Sequence, residues 1–358
     1  MIWVDSGVGY HDISIFAEAT AATKAGEATV AIEAGEVTDA MREAVPEQAP
    51  GRKKMKQIAF VLPLLSGVCF GSIGIFIRLF SEAGFNNMAI LSTRNAISAA
   101  ILFLVMFICD RSLLRCRWRD LPVLLGGGFI GMTMTNVFYN IAVLNLSLGF
   151  AGVLIGLSPV YVVIIAAFLF REKITGRKLT GMILAIIGVT MVSGVIENGI
   201  TFTTLGLAAG LLSGVFYGMT SIFTKISIGR GYSGLTITFY AVLITAITTA
   251  PFANWGTVAA FAAAAPAEHI GLMIAHALIG AALPYLMLNV SLKHIEAGRA
   301  SILTSSEPVA AMLFGAFVYG EKLSIVSVAG MMIAVTAFGI ISTGGGDEPH
   351  PKAGEPDE

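Results

Sequence analysis

The sequence predicts an all-α membrane protein, with ten transmembrane helices arranged as two inverted five-helix repeats. Three features lead there: a composition poor in charge, a one-sided distribution of Lys and Arg, and an internal repeat. Of the 358 residues, 56% are apolar and 13% charged, about half the charged share of a soluble domain. Residues 1–56 hold nine acidic and six basic side chains, and 344–358 hold five and one. That leaves nine acidic and 15 basic among residues 57–343. A stretch so poor in charge and cut into long apolar runs belongs in a bilayer.

Ten apolar stretches of spanning length follow one another, at about 57–79, 87–109, 121–143, 147–170, 178–197, 203–226, 234–254, 269–291, 297–319 and 323–343. Basic residues near span ends mark the cytoplasmic side. Arg52, Lys53, Lys54 and Lys56 precede the first span. Arg111, Arg115, Arg117 and Arg119 separate the second and third, and Arg171, Lys173, Arg177 and Lys178 the fourth and fifth. Arg230 follows the sixth, and Lys293 and Arg299 bracket the turn into the ninth. Alternating spans put all of these on one face, with only Arg78 and Lys322 near span ends on the other. Both termini are therefore expected in the cytoplasm, with the plasma membrane as the expected location.

The flanking segments read differently. Residues 1–56, rich in Ala, Glu and Thr, lack the basic, apolar and small-residue order of a signal peptide. They are expected to be a disordered or weakly helical cytoplasmic extension, and 344–358 a disordered polar tail. Cys69, Cys109 and Cys116 are scattered, so neither a disulfide framework nor a metal site is expected.

The repeat appears on self-comparison. LLSGVCFGSIGIFIR (64–78) overlays LLSGVFYGMTSIFTK (211–225) with eight identities in 15. At an offset of 149, residues 140–175 overlay 289–324 without a gap, matching Asn140 with Asn289, Gly149 with Gly298, Pro159 with Pro308 and Glu172-Lys173 with Glu321-Lys322. Residues 57–197 and 203–343 are thus two copies of one unit. Five spans per unit is an odd number, so the second copy enters the membrane inverted, an arrangement common among secondary transporters.

Two such units, each with SGV…G…F early and PV…EK after the fourth span, resemble the two EamA domains of the drug/metabolite transporter superfamily. The resemblance covers about 58–343 and is most specific in SPVYVVIIAAFLFREKITGRKLTGMILAIIGV and SEPVAAMLFGAFVYGEKLSIVSVAGMMIAV. It implies a carrier of small metabolites, often an exporter, with a central cavity made by the first four spans of each half and the fifth and tenth spans peripheral.

Several residues are candidates for the site. Glu307 lies near mid-membrane, where an ionised carboxylate is expensive unless paired or hydrated. Its repeat partner is Ser158. Arg94 is the only basic residue well inside a span, with Ala241 as its counterpart. Glu307 suits a proton or cationic-substrate site and Arg94 an anchor for an anionic group; a structural ion pair or a buried, hydrogen-bonded acid is the alternative. His276 sits mid-span and titrates near neutrality when unperturbed, although helix packing explains it equally. Asn136, Tyr139, Asn140, Tyr285 and Asn289 place polar groups at matching depths, for solute binding or for tying helices. Pro159 and Pro308 each remove a backbone hydrogen bond and bend their helices. Gly206, Gly210, Gly214 and Gly218, with Gly67 and Gly71, allow close helix approach. Glu172-Lys173 and Glu321-Lys322 read as topology anchors.

The expected function is secondary-active transport of small metabolites, with the bilayer, a small-molecule substrate and protons as partners, and neither nucleic acid nor cofactor. No HExxH, paired intramembrane aspartates or nucleophile–base pair marks an enzyme, and no filter signature marks a channel. A non-transporting receptor or scaffold, and a facilitative carrier without ion coupling, are the alternatives.

Overall fold

The computed structural model describes residues 50–169, 175–198, 202–291, 300 and 303–343. The expectations for 1–49 and 344–358, and for Glu172 and Lys173, lie outside the described residues. The chain divides into two units, Met1–Met55 and Lys56–Glu358, and the second carries the membrane part.

Every element among the described residues is helical, with no strand. In chain order the longer ones are α1 (Pro50–Gly71, continuing past Ser72 as Ile73–Glu82) and α2 (Asn87–Cys109). Next come α3 (Leu121–Leu125, a π-helical stretch Gly126–Thr133, then Met134–Asn145) and α4 (Leu148–Gly156 and Ser158–Leu169). They continue as α5 (Gly176–Val192), α6 (Thr204–Gly229), α7 (Gly234–Thr249) and α8 (Trp255–Ala264). The last are α9 (Pro266–Ala277, a π-helical stretch Leu278–Ala282, then Leu283–Ser291), α10 (Ser306–Tyr319) and α11 (Ile325–Thr343).

Seven of these rods are long and apolar enough to cross a bilayer: Phe60–Glu82, Asn87–Cys109, Trp118–Asn145, Leu148–Ile165, Thr204–Gly229, Gly234–Phe252 and Pro266–Ser291. Shorter apolar helices occupy Trp255–Ala264, Ser306–Tyr319 and Ile325–Ile341. The expected ninth span, 297–319, begins in residues that are not described, and α5 stops at Val192 before Gly194 with φ 75°. Residues 255–264, read from sequence as a connecting loop, are helical instead. Their apolar, alanine-rich composition favours that state.

Large apolar side chains lie outward along the rods. On α2 these are Phe103, Leu104, Phe107 and Ile108, and on α5 Leu179, Ile183, Ile186 and Ile187. Such a surface suits lipid rather than water.

Local signals repeat with the sequence. Asn86 and Ser233, 147 positions apart, cap α2 and α7 by accepting the N–H of Ala89 at 2.8 Å and of Thr236 at 3.1 Å. Such caps satisfy backbone donors left free at a helix start. The two π-helical stretches also correspond, since Gly131 and Gly280 match at the offset of 149. Between α5 and α11 the packing is symmetric. A Cβ at Gly188 would lie 2.7 Å from the Gly330 carbonyl, and one at Gly181 3.3 Å from that of Ala337. The offset of 149 carries the pair 181/337 onto 330/188. These contacts need glycine at the crossing.

Candidate functional site

α4 breaks at Leu157, two residues before Pro159, and α10 begins after Ser305, three before Pro308. A proline cannot donate to the carbonyl four residues back, here Ile155 and Thr304, so the backbone opens there. Freed carbonyls at membrane depth are tolerated where they meet protein or a wet cavity. Both bends line one cavity of about 290 Å³, with Ile155, Gly156, Ser158 and Pro159 from one half and Thr304, Ser305, Glu307 and Pro308 from the other. Each residue of the first set corresponds to one of the second at the offset of 149.

A second, smaller cavity of about 50 Å³ shares Ile155, Tyr217 and Glu307 with the first. It too is walled by corresponding residues: Phe70 with Tyr217, Ile73 with Thr220, and Asn136 with Tyr285. Its two charged residues have no charged counterpart in the other repeat. Arg94 on α2 and Glu307 on α10 line this cavity, while their counterparts are Ala241 and Ser158.

α1 and α6 hold this region together. A Cβ at Gly71 would sit 2.6 Å from the Glu307 carbonyl oxygen, and one at Gly218 would sit 3.5 Å from that of Ser158. The first helix of each repeat thus lies against the bend of the other repeat's fourth.

Arg94 is 2% exposed. Its Nη2 donates to Asn136 Oδ1 at 2.6 Å, and Asn136 Nδ2 donates to the Met132 carbonyl at 2.7 Å, which fixes the amide with its oxygen toward the guanidinium. Arg94 Nε and Nη1 are buried and have no partner among the described residues. Glu307 is half-buried. Among the described residues, the ion pairs join Arg78 to Glu321 and Arg230 to Asp120, and neither Arg94 nor Glu307 takes part in one.

The remaining sequence candidates divide. Tyr139 and Tyr285 line the smaller cavity, with Tyr285 packed edge-on to Phe70 at 5.2 Å. Ser158, Pro159 and Pro308 line the larger one. Asn140 is fully buried and donates to Asn87 Oδ1 at 2.8 Å, joining α3 to α2. Its counterpart Asn289 lies against Gly234, the counterpart of Asn87. His276 is stacked on Phe76 at 5.1 Å and tilted against Phe80 at 5.3 Å, and it lines neither cavity. Phe70, Tyr217 and Thr220 line the smaller cavity without being among the sequence candidates. Their signal was present in the aligned segments 64–78 and 211–225, where Phe70 and Tyr217 occupy one column.

The match to known proteins fits this geometry. The model of the EamA-like transporter family matches residues 57–194 and again 204–343. The chain belongs to the EamA-like transporter family. It is 30% identical over 275 residues to an uncharacterized transporter of Archaeoglobus fulgidus, covering 77% of this chain and 94% of that one. To the uncharacterized transporter YxxF of Bacillus subtilis it is 24% identical over 285 residues, covering 78% and 88%. A probable terminal-alkyne amino-acid exporter of Streptantibioticus cattleyicolor matches at 33% over 130 residues, 36% of this chain and 42% of that one. A solved crystal structure shares the fold with TM-score 0.55 and 16% identity, over 79% of this chain and 95% of that one. This EamA-like transporter is therefore a multi-pass membrane protein whose family moves solutes, and the cavities between its repeats are the candidate place for one.

Proposed function

We propose that the protein is a secondary-active exporter of small metabolites, working by alternating access between two inverted five-helix repeats. The observation that carries this reading is the symmetry of the cavity walls. Pairs of residues corresponding at the repeat offset line both cavities, four pairs in the larger and three in the smaller, so the space lies where two related halves meet. Rocking one half against the other opens such a space to either side in turn, a motion typical of inverted repeats. The name of the Streptantibioticus cattleyicolor relative supports export. In this reading ten helices span the plasma membrane, with 57–197 and 203–343 as the repeats, 1–56 and 344–358 as cytoplasmic flanks, and both termini inside. Glu307 couples transport to protons. It is a carboxylate on the wall common to both cavities, and among the described residues it has no cationic partner.

The test is flux in liposomes containing only this protein. Labelled amino acids, nucleosides, monosaccharides and polyamines are offered with and without an imposed pH gradient. Saturable movement of one class, accelerated by the gradient, is the expected result. Absence of flux across all classes would make the protein a receptor or scaffold, and saturable flux indifferent to pH would make it a facilitative carrier.

A further inference from the structure

Among the side chains facing the two cavities, Arg94 has donors that no described residue uses. A guanidinium carries five N–H donors in a planar fork. At Arg94, among the described residues, the guanidinium forms one hydrogen bond, to Asn136, while Nε and Nη1 are buried and unpartnered. Leaving a buried charge so poorly satisfied is costly. A fold that needed the charge for its own stability would place a carboxylate within reach. Glu307, the acid on the same cavity wall, forms no ion pair with it.

The surroundings hold the guanidinium in place. Asn136 is locked by its own bond to the Met132 carbonyl within the π-helical stretch of α3. On the other side, the π-helical stretch of α9 brings Gly280 so close that a Cβ there would lie 3.3 Å from Arg94 Cδ. Glycine at this point leaves room for the arginine stem. Single π turns inside α-helices occur frequently at functional sites. Here two, related by the repeat, flank one charged group.

We propose that Arg94 is the recognition point for a carboxylate on the transported solute, so that the cargo is a small organic carboxylate. This deepens the transport reading above and rests on it only for the word cargo; the binding itself stands apart. A carboxylate matches the planar donor fork in two-point geometry, which a single ammonium cannot reproduce. The cavity at Arg94, about 50 Å³, has room for such a head group, and the adjoining space of about 290 Å³ receives the rest of the molecule.

The experiment is a thermal-shift and equilibrium-binding series on the purified full-length protein in detergent. The probes are L-leucine and 4-methylvalerate, which carry the carboxylate, then L-leucine methyl ester, L-leucinol and isoamylamine, which lack it, and inorganic phosphate and sulfate. The expected result is that a carboxylate probe raises the melting temperature and binds at least tenfold more tightly than its analogue lacking the carboxylate. Arg94→Gln and Arg94→Lys should both abolish that preference, Lys because it lacks the fork. Arg94→Gln without ligand should melt no lower than the wild type, since it removes unsatisfied donors. If it fails to fold, Arg94 serves the structure and the proposal falls. It falls equally if the wild type answers to none of the carboxylates, or to the ester or amine as strongly. Phosphate or sulfate binding as tightly as the carboxylates would overturn the class assigned to the cargo. Carboxylate binding without flux would sink only the transport reading, and flux of a solute lacking a carboxylate only this one.

Discussion

Arg78 and Glu321 form an ion pair at 2.8 Å that joins the end of α1, in the first repeat, to the connection between α10 and α11 in the second. Arg78 also donates from Nε to the Val143 carbonyl at 3.2 Å and from Nη2 to that of Leu146 at 2.7 Å, covering the C-terminal end of α3. It lies 4.6 Å from the centre of the Tyr319 ring. The Glu321 carboxylate accepts the N–H of Leu148 at about 3.0 Å, at the first turn of α4. An anion at a helix N-terminus and a cation at a helix C-terminus are both favoured by the helix dipole. One pair of side chains thus closes one end of the bundle around both repeats.

The first prediction follows from that closure. Arg78→Gln and Glu321→Gln should each lower stability by about 2 kcal/mol, the worth of hydrogen bonds to charged, largely buried groups. A double-mutant cycle should show coupling of at least about 1 kcal/mol. The exchange Arg78→Glu with Glu321→Arg should not restore stability, because an arginine at 321 faces the N–H of Leu148 rather than a carbonyl. Additive single effects in thermal unfolding would show that the two charges act separately.

A second prediction separates two glycines that the sequence presents as equivalents. Gly71 and Gly218 correspond, yet a Cβ at 71 meets backbone atoms at 2.6 and 2.8 Å, and one at 218 meets nothing closer than 3.4 Å. Gly71→Ala should cost about 1–3 kcal/mol through forced backbone movement, and Gly218→Ala less than about 1 kcal/mol. Melting temperatures of the two variants in detergent decide it; equal losses would contradict the difference in packing between the halves.

This difference shows how far the sequence could be read. The repeat and the apolar rods were legible because they are local patterns or direct matches along the chain. The two prolines announced the bends. The role of Glu321 was not legible. Next to Lys322 it looks like a helix-end anchor, and its partners at 78 and 148 become neighbours only when the halves pack. The π-helical stretches were missed for a related reason. GGGFIGMT and LIGAA read as apolar helix with glycines, and the widened turn depends on what presses against it. His276 shows the converse. Its depth suggested chemistry, whereas folding places it among phenylalanines.

A third prediction concerns that histidine. His276 Nε2 is buried with no partner among the described residues, and the ring already stacks on Phe76. His276→Phe keeps the stack and removes an unsatisfied polar atom, so stability should change by less than about 1 kcal/mol or rise. Flux and its dependence on a pH gradient should be retained. A folded variant that has lost proton-driven flux would place His276 in the proton path.

The fourth prediction is topological. Reporter fusions or single cysteines should place residues 110–120 and 171–178 on the cytoplasmic side and 255–267 on the other, following the basic residues at span ends. Contacts between loops agree with this grouping. Asn86 and Asn254 bind each other's segments, the Asn86 N–H donating to Asn254 Oδ1 at 3.1 Å. At another set of ends, Arg230 and Tyr232 both donate to Asp120, at 2.7 and 2.9 Å. Finding 110–120 and 255–267 on the same side would remove the inverted arrangement.

The last prediction tests coupling at Glu307. A carrier that moves its substrate uphill needs a second, downhill flow, and a carboxylate inside a membrane protein is a common way to bind the proton that supplies it. Glu307 sits where the two cavities meet, with its backbone carbonyl against α1 and Pro308 following it. Protonation there changes the charge of the wall that both halves share, so it can bias which way the cavity opens. Glu307→Gln preserves the size of the side chain and most of its hydrogen bonding but cannot release a proton. In proteoliposomes the variant should lose accumulation driven by a pH gradient, at least tenfold, while retaining exchange of labelled for unlabelled substrate across the membrane. Both readouts are needed. Loss of both would point to a damaged binding site rather than to coupling, and retention of uphill transport would make the carboxylate structural. Arg94→Gln gives the contrasting pattern, because a residue that holds the substrate should affect exchange and accumulation together. Opposite signatures from two residues on one cavity wall would assign the proton to the second repeat and the cargo's charge to the first.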